Sequence, residues 1–400
     1  MRRMYGPADF IDTLKPQALT AEDEALWTRL LRARPDLSGP YFDVRYVKAV
    51  GARVPRAGVA RIWRGGRVAG FFPYQLRGDT LQPLGAPLTD YHGIICEAGT
   101  TVAFDDLIAA TGARRLSFQG WTGELPQTAK TVSLNRRVAD TSDGFDAWYA
   151  RQESEHHKFF KNIRRCERNV EKDFGGFAFT WERVTPDMLD WVLNIKRAQY
   201  KHCGLHDIFD CGWTQDLLRA LASFDDPAYG LRAGVFRHDG KVVAAEIGLL
   251  GEDQVHLWFP AYDPAYYRYS IGILLVVQMI RHLAPRESEG LGIKRFDFGT
   301  GGEEYKDPLT VHAETVREGT LIYGLHPVSQ ALDLLPGETL SKARLSLSRR
   351  LGVISATEVS LAGWGRASWA LTQRAVVRLK ARTAKAAAKA PSEPETARTS

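Results

Sequence analysis

The fold is decided by one stretch in the second half of this 400-residue chain, Val242-Val243-Ala244-Ala245-Glu246-Ile247-Gly248-Leu249-Leu250. After Gly251-Glu252-Asp253 the chain continues as Gln254-Val255-His256-Leu257-Trp258-Phe259-Pro260-Ala261. Two apolar runs of strand length on either side of a short polar turn predict a long β-hairpin. The apolar run that follows predicts a helix over residues 271–283. A hairpin, a helix and a further strand at 294–298 indicate an α/β fold.

The elements around this hairpin extend the pattern in both directions. Upstream, the sequence predicts a helix at 147–172, a strand at 177–183, a helix that begins at the Thr185-Pro186-Asp187 cap and a strand at 230–237. A last strand is predicted at 315–323. The first part of the chain has a looser version of this order, with a helix at 21–34 and a hairpin around Arg64-Gly65-Gly66. Because no residue repeat accompanies it, a duplication would be one of pattern only.

Composition and charge divide the chain into three parts, 1–145, 146–325 and a basic extension at 326–400. Apolar residues make up 44% and charged residues 25%, as in globular proteins, which excludes wholesale disorder. Only the end of the extension, from residue 384, has the composition of a disordered segment. The sequence predicts neither a spanning helix nor a secretory leader. Four cysteines without a Cys-x-x-Cys pair argue against disulfides and structural zinc, so a cytoplasmic location is expected.

The basic extension accounts for the positive net charge of +6. Residues 336–390 hold eleven Lys and Arg against two acids, so the rest of the chain is slightly acidic. Arg374, Arg378 and Arg382 would share one face of a helix. Three alternatives stay open for this extension: a solvated surface, contact with the anionic inner membrane, or a phosphate-bearing regulator such as a cyclic dinucleotide (c-di-GMP). No motif indicates DNA binding.

Glu246 and His256 are the first candidates for acid–base chemistry. Glu246 interrupts an apolar strand, where burial would raise its pKa as a general base requires. If the hairpin pairs symmetrically about residues 251–253, His256 lies opposite Gly248, on the same face as Glu246 and diagonal to it. The alternatives are a solvated glutamate at a sheet edge and a histidine satisfied within the core.

Two further groups of residues are candidates for a site. The loop Gly299-Thr300-Gly301-Gly302 separates Asp297, at a strand end, from Glu304, Tyr305 and Lys306. These three could take a proton, donate one and hold an anionic group, respectively. The start of the apolar helix would offer free backbone N–H groups to a phosphate at Tyr269-Ser270-Ile271-Gly272-Ile273.

Four stretches together resemble GNAT-type acyltransferases, in the CelD/BcsL branch associated with cellulose, holdfast and other exopolysaccharides. They are Gly39-Pro40-Tyr41-Phe42; Leu81-Gln82-Pro83-Leu84-Gly85 with Asp90-Tyr91; the basic helix at 159–172; and residues 261–275 with Phe296-Asp297-Phe298-Gly299 and Gly302-Glu303-Glu304-Tyr305-Lys306. That branch is similar to Fem-type peptidyltransferases, which have two GNAT-like halves. The spacing of Arg268 and Gly272 departs from the common acyl-CoA signature.

The resemblance implies two GNAT-like α/β domains, each a mixed twisted sheet flanked by helices, followed by the basic helical extension. It implies acetyl transfer from acetyl-CoA, without a metal, to an amino sugar of a surface polysaccharide or its precursor. Asp297, Asp90 and Tyr91 would then bind substrate. A Fem-like aminoacyltransferase and a degenerate sensor of an anionic regulator are the alternatives. We expect a cytoplasmic enzyme that can associate with the inner membrane.

The basic helix has two interpretations of its own. It could contact a nucleotide-sugar or a lipid-linked pyrophosphate, or it could be a solvated face balanced by Glu167 and Glu171 at helical spacing. The sequence favours the solvated face for most of its length.

Overall fold

The computed structural model describes residues 10–98, 100, 102–126, 130–285, 292–301, 304–310, 312–323 and 351–358, together with 363, 365 and 367. Arg374, Arg378 and Arg382 of the basic extension lie outside the described residues, as do Gly302 and Glu303. The predictions made for the extension therefore remain predictions.

The described strands form one twisted sheet. They are β1 (Phe10–Leu14), β2 (Ala57–Arg64), β3 (Arg67–Arg77), β4 (Thr80–Pro83), β5 (Ile95–Cys96), β6 (Arg115–Trp121), β7 (Lys130–Asp140), β8 (Ala178–Arg183), β9 (Tyr229–His238), β10 (Lys241–Gly251), β11 (Gln254–Tyr262), β12 (Arg295–Asp297) and β13 (His312–Ile322). Their order in the sheet is β1-β2-β3-β4-β6-β13-β7-β12-β11-β10-β9-β8, and β5 pairs with β3. The α/β prediction is confirmed.

Helices cover both faces of this sheet. They are α1 (Ala21–Arg32), α2 (Val44–Gly51), α3 (Phe104–Ala110), α4 (Phe145–Glu155), α5 (His157–Phe174), α6 (Pro186–Cys203), α7 (Trp213–Ala222) and α8 (Ile271–Leu283). Helix α8 has the predicted bounds. The helix predicted at 147–172 is instead two helices, because the backbone leaves helical geometry at His156 (φ −123°, ψ 44°). Neither Gly nor Pro marks that break in the sequence.

The sheet contains the same five-strand arrangement twice. In the first half, β1, β2, β3 and β4 are antiparallel neighbours and β4 is parallel to β6. In the second half, β8, β9, β10 and β11 are antiparallel neighbours and β11 is parallel to β12. Strands β3 and β10 each have 11 residues, and each carries a bulge at its third residue, Ala69 and Val243. The duplication is therefore structural, although no residue repeat is visible.

Each half ends in a parallel pair of strands, and the strand that follows this pair in the chain joins the sheet in the other half. Strand β7 follows β6 in the chain but pairs with β12, and β13 follows β12 but pairs with β6. The two exchanged strands also pair with each other. The predicted domain boundary at residue 145 therefore separates strands that belong to one continuous sheet. That the two parts fold as separate domains remains a prediction.

The hydrophobic core follows this arrangement. On one face of the second half, α4, α5 and α8 bury apolar side chains against β9, β10 and β11. Another core cluster joins the halves, since it contains Trp27 and Tyr41 of the first and Trp213 and Tyr229 of the second. Within the described part of the chain, no helix is long and apolar enough to cross a membrane.

Candidate functional site

A crevice opens where the two parallel strands of the second half separate. Strands β11 and β12 pair only from Gln254 opposite Arg295 to His256 opposite Asp297. Beyond these pairs lies a cleft of about 300 Å³. It is lined by Asp90, Lys196, Glu246, His256, Leu257, Trp258, Pro260, Val276, Phe298, Gly299, Thr300, Gly301, Tyr305 and Lys306. The cleft thus brings together residues from widely separated parts of the sequence.

The hairpin beside this cleft differs from the predicted register. Its turn has two residues, with Gly251 paired to Gln254, so His256 lies opposite Leu249 and not opposite Gly248. A bulge after Ile247 then leaves Trp258 without a partner on β10. Because the bulge shifts the following residues, Glu246 and His256 both line the cleft even though the predicted pairing was wrong.

Glu246 is a buried carboxyl at the wall of the cleft. It lies on β10, its residue exposure is 4%, and its Oε1 atom has no hydrogen-bond partner among the described residues. Burial raises the pKa of Glu246 to about 8, against the smaller opposing effects of Lys196, Lys306 and His256. A carboxyl with this pKa can both accept and release a proton near neutral pH.

His256 is held between two carboxylates. Its Nε2 atom is 3.1 Å from Asp90 Oδ2, and its Nδ1 atom is 3.4 Å from Asp297 Oδ2. Burial alone would lower the pKa of His256, but Asp297 and Asp90 outweigh it and raise that pKa to about 9. His256 is therefore a cation at neutral pH. A protonated imidazole cannot act as a general base, so Glu246 is the better candidate for that role.

Asp297 is the centre of a buried polar network. Arg136 Nε donates to its Oδ2 atom at 2.9 Å, while Tyr91 OH and Gly299 N–H each donate to Oδ1 at 2.8 Å. Burial would raise the pKa of Asp297, but Arg136 and His256 outweigh it and hold that pKa well below its usual range. Asp297 and Tyr91 were expected to bind substrate; both are buried in this network and neither lines the cleft.

Of the three candidate residues that follow the glycine-rich loop, two line the cleft. Tyr305 and Lys306 line it, and Lys306 Nζ donates to Phe298 O at 2.8 Å. Glu304 is exposed and does not line the cleft. Since these residues begin a short 3₁₀ helix, Glu304–Leu309, whose side chains point in different directions around its axis, only some of them can face the cleft.

The expected phosphate-binding residues lie at the start of α8. Ile273 and Leu274 N–H donate to Ser270 O, so Ile271 and Gly272 precede the first hydrogen bond of the helix. Tyr269 is buried and donates from its hydroxyl to Asp173 at 2.7 Å. None of residues 269–273 lines the cleft itself. The residue of α8 that lines the cleft is Val276.

Two residues of the site were not anticipated from the sequence. Arg136 lies on β7, a strand that was not predicted, and its side chain is 1% exposed. Lys196 lies on α6 among other charged residues, and nothing in that helical pattern distinguishes it. The one available signal was an arginine in a strand-like run between Val132 and Val138. Within the described residues, no group of three or more His, Cys, Asp or Glu could hold a metal ion.

Residues 157–307 match the family model described as an acetyltransferase (GNAT) domain. This segment is therefore similar to GNAT acetyltransferase domains. The matched segment includes every residue that lines the cleft except Asp90, which comes from the first half. The sequence resemblance to GNAT-type proteins is thus supported, whereas its CelD/BcsL branch is not.

Several solved structures are similar to the chain. A C-terminal domain assigned to a lysylphosphatidylglycerol synthetase of Agrobacterium fabrum has 15% identity and a TM-score of 0.47, covering 78% of this chain and 94% of its own. FemX has 10% identity and a TM-score of 0.46, covering 80% and 99%. A tandem GNAT protein from the clavulanic acid biosynthesis pathway has 9% identity and a TM-score of 0.44, covering 79% and 99%. No curated protein sequence matches the chain.

Proposed function

We propose that the protein is an N-acyltransferase that moves an acetyl group from acetyl-CoA to an amino sugar of a surface polysaccharide or its precursor. The observation that carries the proposal is the buried carboxyl of Glu246, with its raised pKa, in the cleft of a GNAT domain. Transfer to an amine requires removal of a proton from the attacking nitrogen, and a base whose pKa is near the working pH suits this step.

The other groups of the cleft have complementary roles in this proposal. Beyond His256, β11 has no strand partner on the β12 side within the described residues, so its backbone N–H groups would hold the thioester oxygen as negative charge develops. The free N–H groups at Ile271 and Gly272 would bind a phosphate of the donor. The cationic His256 and Lys306 would stabilise the anionic form of Glu246 after it is generated.

The proposal is tested by acetyl transfer to glucosamine-containing oligosaccharides and by thermal shift with acetyl-CoA. We expect acetyl-CoA to raise Tm and kcat/KM to increase with pH toward a plateau above about 8, as Glu246 ionises. Stabilisation by an aminoacyl-tRNA in place of acetyl-CoA would instead identify a Fem-like aminoacyltransferase. Stabilisation by a cyclic dinucleotide without turnover would identify a sensor.

A further inference from the structure

Helix α5 presents a continuous stripe of positive charge to solvent. Its members are all exposed and follow one another at intervals of three and four residues: Lys158, Lys161, Arg165, Arg168 and Lys172. At 100° per residue these positions fall within an arc of about 80°, and at 1.5 Å per residue the stripe is about 21 Å long. The buried residues Phe160, Ile163, Cys166 and Val170 occupy the opposite side of the helix. The core thus fixes the direction in which the stripe faces.

Nearby acids do not neutralise this stripe. Glu167 lies 3.7 Å from Arg281 of α8, and Glu153 pairs with Arg164, outside the stripe. The expected balance by Glu167 is therefore wrong, because that carboxylate faces α8. Glu171 is exposed at the edge of the stripe. In the described part of the chain, none of the five cations has a salt bridge.

A neighbouring 3₁₀ segment lies beside the C-terminal end of α5. Residues Pro264–Tyr269 lead into α8, and Arg268 Nη2 lies 3.5 Å from Asp173, the residue after Lys172. The side chain of Arg268 is 75% exposed, and Tyr267 beside it is 73% exposed. The C-terminal end of α5 therefore has a further exposed cation beside it, preceded in the chain order of this segment by an exposed aromatic ring, and aromatic and basic residues together are enriched at lipid headgroup layers.

We propose that the α5 stripe, with Tyr267 and Arg268, docks the protein on an anionic lipid surface. The stripe lies along one exposed face of a single helix, which suits a flat surface of negative charge. RNA-binding proteins instead combine a positive groove with exposed aromatic platforms for several bases, and Tyr267 is the one exposed Phe, Tyr or Trp ring that the described residues place on α5 or on Pro264–Tyr269. The inference is independent of acetyl transfer, because it uses none of the cleft residues.

The experiment is co-sedimentation of the full chain with vesicles of phosphatidylglycerol and phosphatidylcholine at 1:1, and with vesicles of phosphatidylcholine alone. We expect binding to the anionic vesicles only, and loss of that binding at high salt. The variant K161E/R165E/R168E is expected to bind at least about 100-fold more weakly, since each basic residue near such a surface contributes roughly 1 kcal/mol.

The matched control reverses three exposed cations elsewhere, R67E/K201E/K241E, and should bind within a few-fold of the wild type. Both variants change exposed side chains, so equal Tm values for the wild type and the two variants will show that folding is intact. Wild-type binding by K161E/R165E/R168E, or equal binding to neutral vesicles, overturns the proposal. So does a result in which tRNA is bound through the same three residues and anionic vesicles are not bound.

Discussion

In the second half of the molecule the crevice beyond β11 and β12 is open, whereas in the first half the corresponding crevice beyond β4 and β6 is filled by the chain itself. There, His92 pairs with Trp121 at the end of β6, with His92 N–H donating to Gly120 O at 3.1 Å. The connection between parallel strand and helix explains the difference. Residues 84–103 separate β4 from α3, whereas only residues 263–270 separate β11 from α8.

The corresponding positions differ chemically as well. Glu246 is the sixth residue of β10, and the sixth residue of β3 is the buried Phe72. His256 and Asp297 are third in β11 and β12, and the third residues of β4 and β6 are Gln82 and Ser117. The first half therefore has the same strand arrangement but no titratable side chain at these three positions. The segment of the first half that carries His92 and fills its crevice instead supplies Asp90 to the cleft of the second half.

The sharpest test of this difference is Glu246→Gln. We expect kcat/KM to fall about 100- to 10,000-fold, because an amide cannot accept the proton of the attacking amine. The variant should gain stability at pH 7. Between pH 4.5 and about 8 the folded protein keeps the proton of Glu246 while the unfolded chain releases it, so the wild type loses stability as pH rises. Phe72→Leu, the control at the equivalent position, should keep full activity per folded molecule.

Asp297→Asn tests the network that supports the open crevice. Removing this carboxylate leaves Arg136 and His256 buried without their common partner, so we expect about 3–5 kcal/mol of destabilisation in chemical denaturation. Ser117→Ala, at the equivalent position of β6, provides the comparison and should change stability by less than about 1 kcal/mol. Similar losses in the two variants would contradict the asymmetry between the halves.

The pH dependence of stability tests the charge on His256. Between pH 6.5 and about 9 the folded protein holds the imidazole proton and the unfolded chain releases it. This contribution is fully present below pH 6.5 and is lost as pH rises through 9, by about 1–3 kcal/mol. Denaturation of wild type and His256→Gln from pH 6 to 9.5 measures it. Parallel curves for the two proteins would show that His256 is neutral in the folded state.

Gly120→Ala tests how tightly the first crevice is filled. Gly120 has φ +62°, and a Cβ atom there would lie 1.9 Å from Asp90 O, so the segment that carries Asp90 must move. Gly112→Ala is the matched control, because its φ is +70° and no atom of the described residues lies within 4 Å of the added carbon. We expect about 1–2 kcal/mol of destabilisation for the control, with a larger loss and several-fold lower activity for Gly120→Ala. Equal effects would mean that Asp90 is not held by this contact.

The sequence determined the elements whose signals are local. The hairpin of β10 and β11 and the bounds of α8 followed from runs of apolar residues, and the cap of α6 followed from Thr185 and Pro186. Glu246 could be singled out because a carboxylate in an apolar strand is unusual whatever surrounds it. These features depend on neighbours within a few residues, where hydrogen bonding and side-chain periodicity act directly.

Only the tertiary structure decided how these elements form a site. The exchange of β7 and β13, the separation of β11 from β12, and the docking of Asp90 on His256 each join residues far apart in the chain. The break at His156 is not marked by Gly or Pro, and Gly248 at the bulge does not by itself fix which residue of β11 is left over. Long-range pairing has no periodic signature in the sequence. The sequence thus identified the candidate base, and the three-dimensional arrangement decided its surroundings.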